Sequence, residues 1–136
     1  MSPRLALTVG AVQAFAFGLP LLVFPAAILG VSGFALRDGG VAIARGAGAT
    51  LIGLGVFDWS LRDATGETLR ALLGGNLAVQ ALSLMVNSGE VLAGHLPVQA
   101  ASASLLHLIV GAIFVLALLR EARGAARQTG RGAASG

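Results

Sequence analysis

The chain has 136 residues, 56% of them hydrophobic and 11% charged, at a mean hydropathy of +0.86. A soluble domain carries about 25% charged residues, so this composition excludes an ordinary water-soluble globule and describes an integral membrane protein. There is no cysteine, which excludes disulfides, thiol catalysis and cysteine-ligated metals, and the nine basic residues, all arginine, are not gathered on one soluble element as nucleic-acid binding requires.

At the N-terminus, Arg4 precedes LALTVGAVQAFAFGLPLLVF. This has the look of a signal peptide, but the apolar run exceeds the roughly 7–15 residues of such a segment and no small-x-small site closes it, so it reads as a retained helix. A helix needs about 20 apolar residues to cross the hydrocarbon core. Four stretches qualify, at 5–24, 41–60, 69–88 and 98–119. The runs are continuous rather than alternating, which favours helices over a barrel. The expected fold is all-α, an integral membrane four-helix bundle over residues 1–120.

Between the first two spans, Pro25 ends or kinks the first helix, and Ala26–Leu36 is apolar but too short to span, so it forms a short interfacial segment. Arg37, Asp38, Gly39 and Gly40 turn the chain into the second span. The short connection 60–68 makes spans two and three antiparallel neighbours, with Thr65 and Glu67 at the start of the third. Pro97 suits the first turn of the fourth. Residues 121–136 start as an extension of the fourth helix, and their Gly, Ser and Arg content then reads as a basic, disordered cytoplasmic tail that meets anionic headgroups. Seven arginines (4, 62, 70, 120, 123, 127, 131) fall on one side and Arg37 and Arg45 on the other, which places both termini in the cytoplasm of a multi-pass inner or plasma membrane protein.

Small residues mark close helix packing in lipid. Helix one carries Ala6, Gly10, Ala14 and Gly18 at spacings of four, and helix two carries Ala42, Gly46, Thr50 and Gly53. Polar groups inside spans are costly unless paired, so they face inward. Helix three aligns Asn76, Gln80, Ser83 and Asn87 on one stripe, helix four aligns Ser104 with His107, and helix one adds Gln13. At 1.5 Å per residue, Gln13, Gln80 and His107 come near the midplane and Arg45 about 6 Å from the outer end. These residues define a candidate ligand pocket of Arg45, Gln80, Ser83, Asn87, Ser104, His107 and Gln13, open to the outside. In it Arg45 would grip an anion or lipid phosphate, and His107 would relay a proton or hold a head group. The competing reading is an interhelical hydrogen-bond network that fixes packing.

Asp58 stands four residues before Arg62 and beside Trp59, which reads as an interfacial anchor built on a helical ion pair. Arg37, Asp38 and Glu90 read as solvated loop charges, Glu90 also as a partner for Arg45. No catalytic or metal-ligand spacing occurs, and the two histidines, 95 and 107, lie 12 residues apart. AVQAFAF (11–17) is similar to AVQALSL (78–84), and LIGLGVF (51–57) to LIVGAIF (108–114). Duplication of a two-helix unit is one reading and chance likeness between apolar runs the other.

The first span ending in LPLLVFP, the short amphipathic stretch after it, the Ala-Arg-Gly-Ala-Gly motif at 44–48 and the tryptophan with charges at the end of the second span resemble small bacterial four-helix membrane proteins of the DoxX-like kind. The resemblance implies a four-helix membrane fold. Some DoxX-like proteins are associated with quinone or thiol oxidation, and a cysteine-free chain gives the thiol branch no support.

The expected function is non-enzymatic: an accessory or structural subunit of a membrane complex, or a homo-oligomer, whose partners are membrane lipids and other membrane subunits or itself. The alternative is a lipid- or quinone-binding protein that uses Arg45 and His107. A small transporter is a third reading. No cofactor or metal is expected, though His107 offers a place for quinone, lipid, haem or a pigment.

Overall fold

The computed structural model describes residues 1–31, 33, 35, 36 and 38–133, and the side chains of all of these except 38 and 128–133. It contains α1 (Pro3–Val23), α2 (Pro25–Val31), α3 (Asp38–Ser60), α4 (Gly66–Leu92), a 3-10 turn (Val98–Ala100) and α5 (Ala101–Ala133). All regular structure among the described residues is helical, and α1, α3, α4 and α5 are long and apolar enough to cross a membrane.

Local chemistry sets the helix ends. Ser2 caps α1 by accepting from the Leu5 N–H at 3.3 Å, and Pro3 occupies a position whose N–H would have no helical partner. Phe24 leaves the helical region at φ −127°, as a residue before proline tends to, and Pro25 restarts the chain as α2. At the end of α4, Gly94 adopts φ 75°, which lets its N–H reach Val91 O at 3.1 Å and the His95 N–H reach Glu90 O at 3.0 Å. This left-handed turn satisfies carbonyls that the helix end would leave bare, and only glycine adopts it without a side-chain clash. Gly33, at φ 84°, lays the turn after α2 against Pro97, so the connection between α2 and α3 meets the one between α4 and α5.

The bundle is two hairpins. α3 lies along α1, α4 lies along α5, and α1 joins the pairs through its contacts with α5 and α4. α3 and α4 are consecutive but scarcely touch, contrary to the neighbour packing that their short connection implies. α3 turns its buried glycines to α1, and α4 turns its polar stripe to α5.

Ala6 and Leu7 of α1, Leu69 and Leu73 of α4, and Val110, Phe114 and Ala117 of α5 form one buried core. On α1 the residues Ala6, Gly10, Ala14 and Gly18 are all buried. On α3 the buried stripe is Ala44, Gly48, Gly55 and Asp58, and not the expected one: Ala42, Gly46 and Thr50 are exposed, Gly53 is half-buried, and Gly46 and Gly53 have open space where a side chain would begin. Gly48 instead meets α1 backbone to backbone. A Cβ there would stand 2.6 Å from Leu22 N and 2.7 Å from Gly18 O.

The tail also differs from expectation. α5 runs on to Ala133, where the composition of 121–136 suggested disorder. Glu121, Ala122, Arg123, Ala125, Ala126 and Arg127 are strong helix formers that extend an existing helix without a new nucleus, and Glu121 lies 3.9 Å from Arg70 of α4. Residues 134–136 of that tail lie outside the described residues.

Candidate functional site: a polar ladder along the fourth helix

The polar side chains of α4 project at Asn76, Gln80, Ser83 and Asn87, and successive rungs meet different partners. Asn76 and Gln80 are buried, and Ser83 and Asn87 half-buried. The first rung joins α4 to α3: Asn76 Nδ2 donates to Asp58 Oδ1 at 2.7 Å and to Leu72 O of its own helix at 3.1 Å.

The second rung lies four residues on, a rise of about 6 Å. Gln80 Nε2 donates to Gln13 Oε1 of α1 at 3.1 Å, and Gln80 Oε1 lies 2.7 Å from His107 Nδ1 of α5. With the Gln80 amide nitrogen turned to Gln13, its oxygen faces the histidine, so Nδ1 carries the hydrogen and donates. In the neutral ring Nε2 then presents a lone pair. Gln13 and Gln80 are the matching glutamines of AVQAFAF and AVQALSL, and the fold sets them side by side.

The third rung closes the far end. Asn87 Nδ2 donates to Ala100 O at 2.9 Å and to Ser104 Oγ at 2.7 Å, and Ser88 Oγ donates to Ser104 Oγ at 3.0 Å. Beyond it, Glu90 pairs with His95 at 2.9 Å, which settles Glu90 on the loop histidine rather than on Arg45.

His107 lines two openings on the outer surface of the α4/α5 hairpin. One is an apolar cleft of about 430 Å³ lined by Leu77, Gln80, Ala81, Leu84, His107, Leu108, Gly111, Ala112, Val115 and Leu116. Gln80 and His107 are its only polar lining residues. The other, of about 420 Å³, is lined by Leu82, Ser83, Val86, Asn87, Glu90, Leu96 and His107. The fold thus gathers Gln13, Gln80, Ser83, Asn87, Ser104 and His107 along one seam.

Arg45 is not part of it. It stands exposed on α3, lines none of these openings, and makes no polar contact among the described residues. The pocket expected to run from Arg45 at its mouth to His107 at its floor therefore does not form: α3 packs on α1 and not on the α4/α5 seam. Arg37 lies outside the described residues, and Asp38 begins α3.

The expected Asp58–Arg62 anchor does not form either. Asp58 is 0% exposed and faces Asn76. Arg62 turns the other way: its guanidinium stacks over the Trp59 ring at 4.4 Å, donates to Trp59 O, and lies 4.0 Å from Asp63. Trp59 and Arg62 pair without the aspartate, and Asp63 takes the ion pairs, with Arg4 at 3.2 Å. A sequence signal for this existed. Ala44, Gly48, Gly55 and Asp58, at spacings of four, seven and three, share a helical stripe with the glycines that pack.

Among the described residues no group of three or more His, Asp or Glu is placed to hold a metal ion. No family model, curated protein or solved structure matches the chain.

Proposed function

We propose that this chain is a multi-pass membrane protein that holds a hydroxyl-bearing lipophile, of the quinol or lipid class, in the cleft between α4 and α5. The observation that carries this reading is an almost wholly apolar cleft that shares His107 with a second, more polar opening. Leucine and valine suit an isoprenoid or acyl tail, and His107, its Nδ1 held by Gln80, also lines the second opening, where Ser83, Asn87 and Glu90 offer hydrogen-bond partners to a hydroxyl head group. Few polar groups fixing the head and apolar walls holding the tail is the usual division of labour in such sites. Binding of a short-chain quinol to the purified protein in lipid nanodiscs tests it, with mass spectrometry of co-purified lipids. His107→Ala is expected to weaken binding about tenfold, the factor equal to about 1.4 kcal/mol. Ala112→Phe, which fills the cleft from an exposed position, is expected to abolish binding. Equal affinity in wild type and both variants overturns the reading.

A specific observation favours a second reading, a subunit of a larger assembly or a homo-oligomer. The outer face of α3 leaves Ala42, Gly46, Ala49 and Thr50 exposed, a surface on which another helix can approach closely. Because the chain has no cysteine, Ala49→Cys introduces a single thiol. A cross-linked dimer in native membranes supports a second copy on this face, and monomer alone counts against it.

We also place both termini in the cytoplasm. Arg4, Arg62 and Arg70 share one end of the bundle with the start of the α5 extension, as the Arg4–Asp63 and Arg70–Glu121 pairs require, and Arg120, Arg123 and Arg127 follow on that extension. Labelling of single cysteines at Ser2 and Ala93 by a membrane-impermeant reagent in intact cells reads this directly: position 93 labels and position 2 does not.

A further inference from the structure

Two side-chain oxygens buried in the bundle have no hydrogen-bond partner, Asp58 Oδ2 and Asn76 Oδ1. They belong to the same pair of residues, whose other atoms are bonded. Asn76 uses both amide hydrogens, one on Asp58 Oδ1 and one on Leu72 O. Both bare oxygens line the space that Gly10 leaves open, Asp58 Oδ2 at 2.6 Å and Asn76 Oδ1 at 3.4 Å from the point where a side chain on Gly10 would begin, and the Phe114 ring edge is 2.9 Å from the same point. The residues are 0% and 2% exposed.

As a carboxylate, Asp58 would place a full charge in this dry pocket with one hydrogen bond, its second oxygen crowded beside another acceptor and an aromatic ring. Such a burial is costly without a cation. None is supplied: α1 brings Gly10, α4 brings Asn76, α5 brings Phe114, and on α3's own end Arg62 is committed to Trp59 and Asp63. Arg4 is paired with Asp63. One hydrogen on Oδ2 satisfies both orphans, because a carboxylic acid donates where a carboxylate cannot. Oδ2–H donates to Asn76 Oδ1 while Asn76 Nδ2–H donates to Asp58 Oδ1.

We propose that Asp58 is held as a carboxylic acid in a two-hydrogen-bond ring with the Asn76 carboxamide, a proton-binding site inside the bundle that serves as the clasp between α3 and α4. The clasp matters because those helices otherwise scarcely touch. The absence of a side chain at Gly10 makes room for it. This proposal is independent of the α4/α5 cleft.

Infrared spectroscopy of the full chain in nanodiscs at neutral pH tests it, with aspartate labelled by carbon-13 at the side-chain carboxyl. The chain has three aspartates, 38, 58 and 63, so the label isolates few groups. The expected result is a carboxylic-acid carbonyl band that moves with the label and is missing from Asp58→Asn. The variant is expected to melt within a few degrees of wild type, because an amide at 58 keeps the shape and can still donate to Asn76 Oδ1. If every labelled aspartate absorbs as a carboxylate, the proposal is overturned. Should Asp58→Asn fail to fold, the labelled wild-type spectrum still decides: an acid band that survives in Asp63→Asn and in Asp38→Asn upholds the proposal, and loss of the band in either one overturns it.

Discussion

In the α1/α3 hairpin, Gly18 and Gly48 bring two backbones together, so that a Cβ on either would meet main-chain atoms of the other helix at 2.6–2.9 Å. In the α4/α5 hairpin, Gln80 meets His107 and Asn87 and Ser88 meet Ser104, and a Cβ on Gly111 would meet only Gln80 Cβ, at an ordinary 3.5 Å. The first pair closes by removing side chains and the second by bonding them. Along the second pair runs the apolar cleft beside His107. A hairpin closed on glycine has no such space to offer a ligand.

That contrast sets an order of effects. The largest belongs to Gly48→Leu, whose side chain has only α1 backbone to displace. Loss of the folded species, read as loss of the monodisperse peak in size-exclusion chromatography, is expected, since overpacking costs about 1–3 kcal/mol even where side chains can move aside. Gly10→Ala comes next. It crowds side chains rather than backbone, Asp58 Oδ2 at 2.6 Å and Phe114 at 2.9 Å, and a loss of about 1–3 kcal/mol is expected in denaturation monitored by circular dichroism. Gln80→Leu cuts the bonds to Gln13 and His107 and should lower stability by about 1 kcal/mol, at about 0.6 kcal/mol for each hydrogen bond in a membrane. At the small end, Gly111→Ala should leave the melting temperature unchanged or raise it, with a helix-propensity gain of up to about 1 kcal/mol. Arg45→Ala should leave both melting temperature and quinol binding unchanged. A Gly111→Ala variant as damaged as Gly48→Leu would erase the distinction between the two hairpins.

Much of this architecture is readable from residue types. Continuous apolar runs separated by Pro, Gly and charge give the four membrane-length helices, and alternation of small residues every fourth position on α1 names the face that buries. The polar stripe of α4 is equally legible, because each residue on it is expensive in lipid and must point inward. What the pattern does not give is the choice among equivalent faces. In GAGAT the small residues at 46 and 48 lie on opposite sides of a helix, and only the shape of α1 decides that Gly48 packs. Asp58 has two reasonable partners, Arg62 one turn away and Asn76 on another helix. Local spacing favours the first, while the stripe it shares with Gly48 and Gly55 turns it toward the second. Depth along the spans lets Arg45 and His107 stand as mouth and floor of one pocket, but depth says nothing about which helices are adjacent.

The thin seam between α3 and α4 has a consequence for how the chain is made. Each hairpin joins helices close in sequence, so each can assemble as it leaves the ribosome, before the other exists. The first would enter the bilayer with Gln13 and Asp58 facing lipid unanswered, and the second would bring Gln80 and Asn76 to them. Assembly then ends in a lateral search in the plane of the membrane, over a leash of the five residues 61–65, that brings a glutamine and an asparagine of one hairpin to their partners in the other.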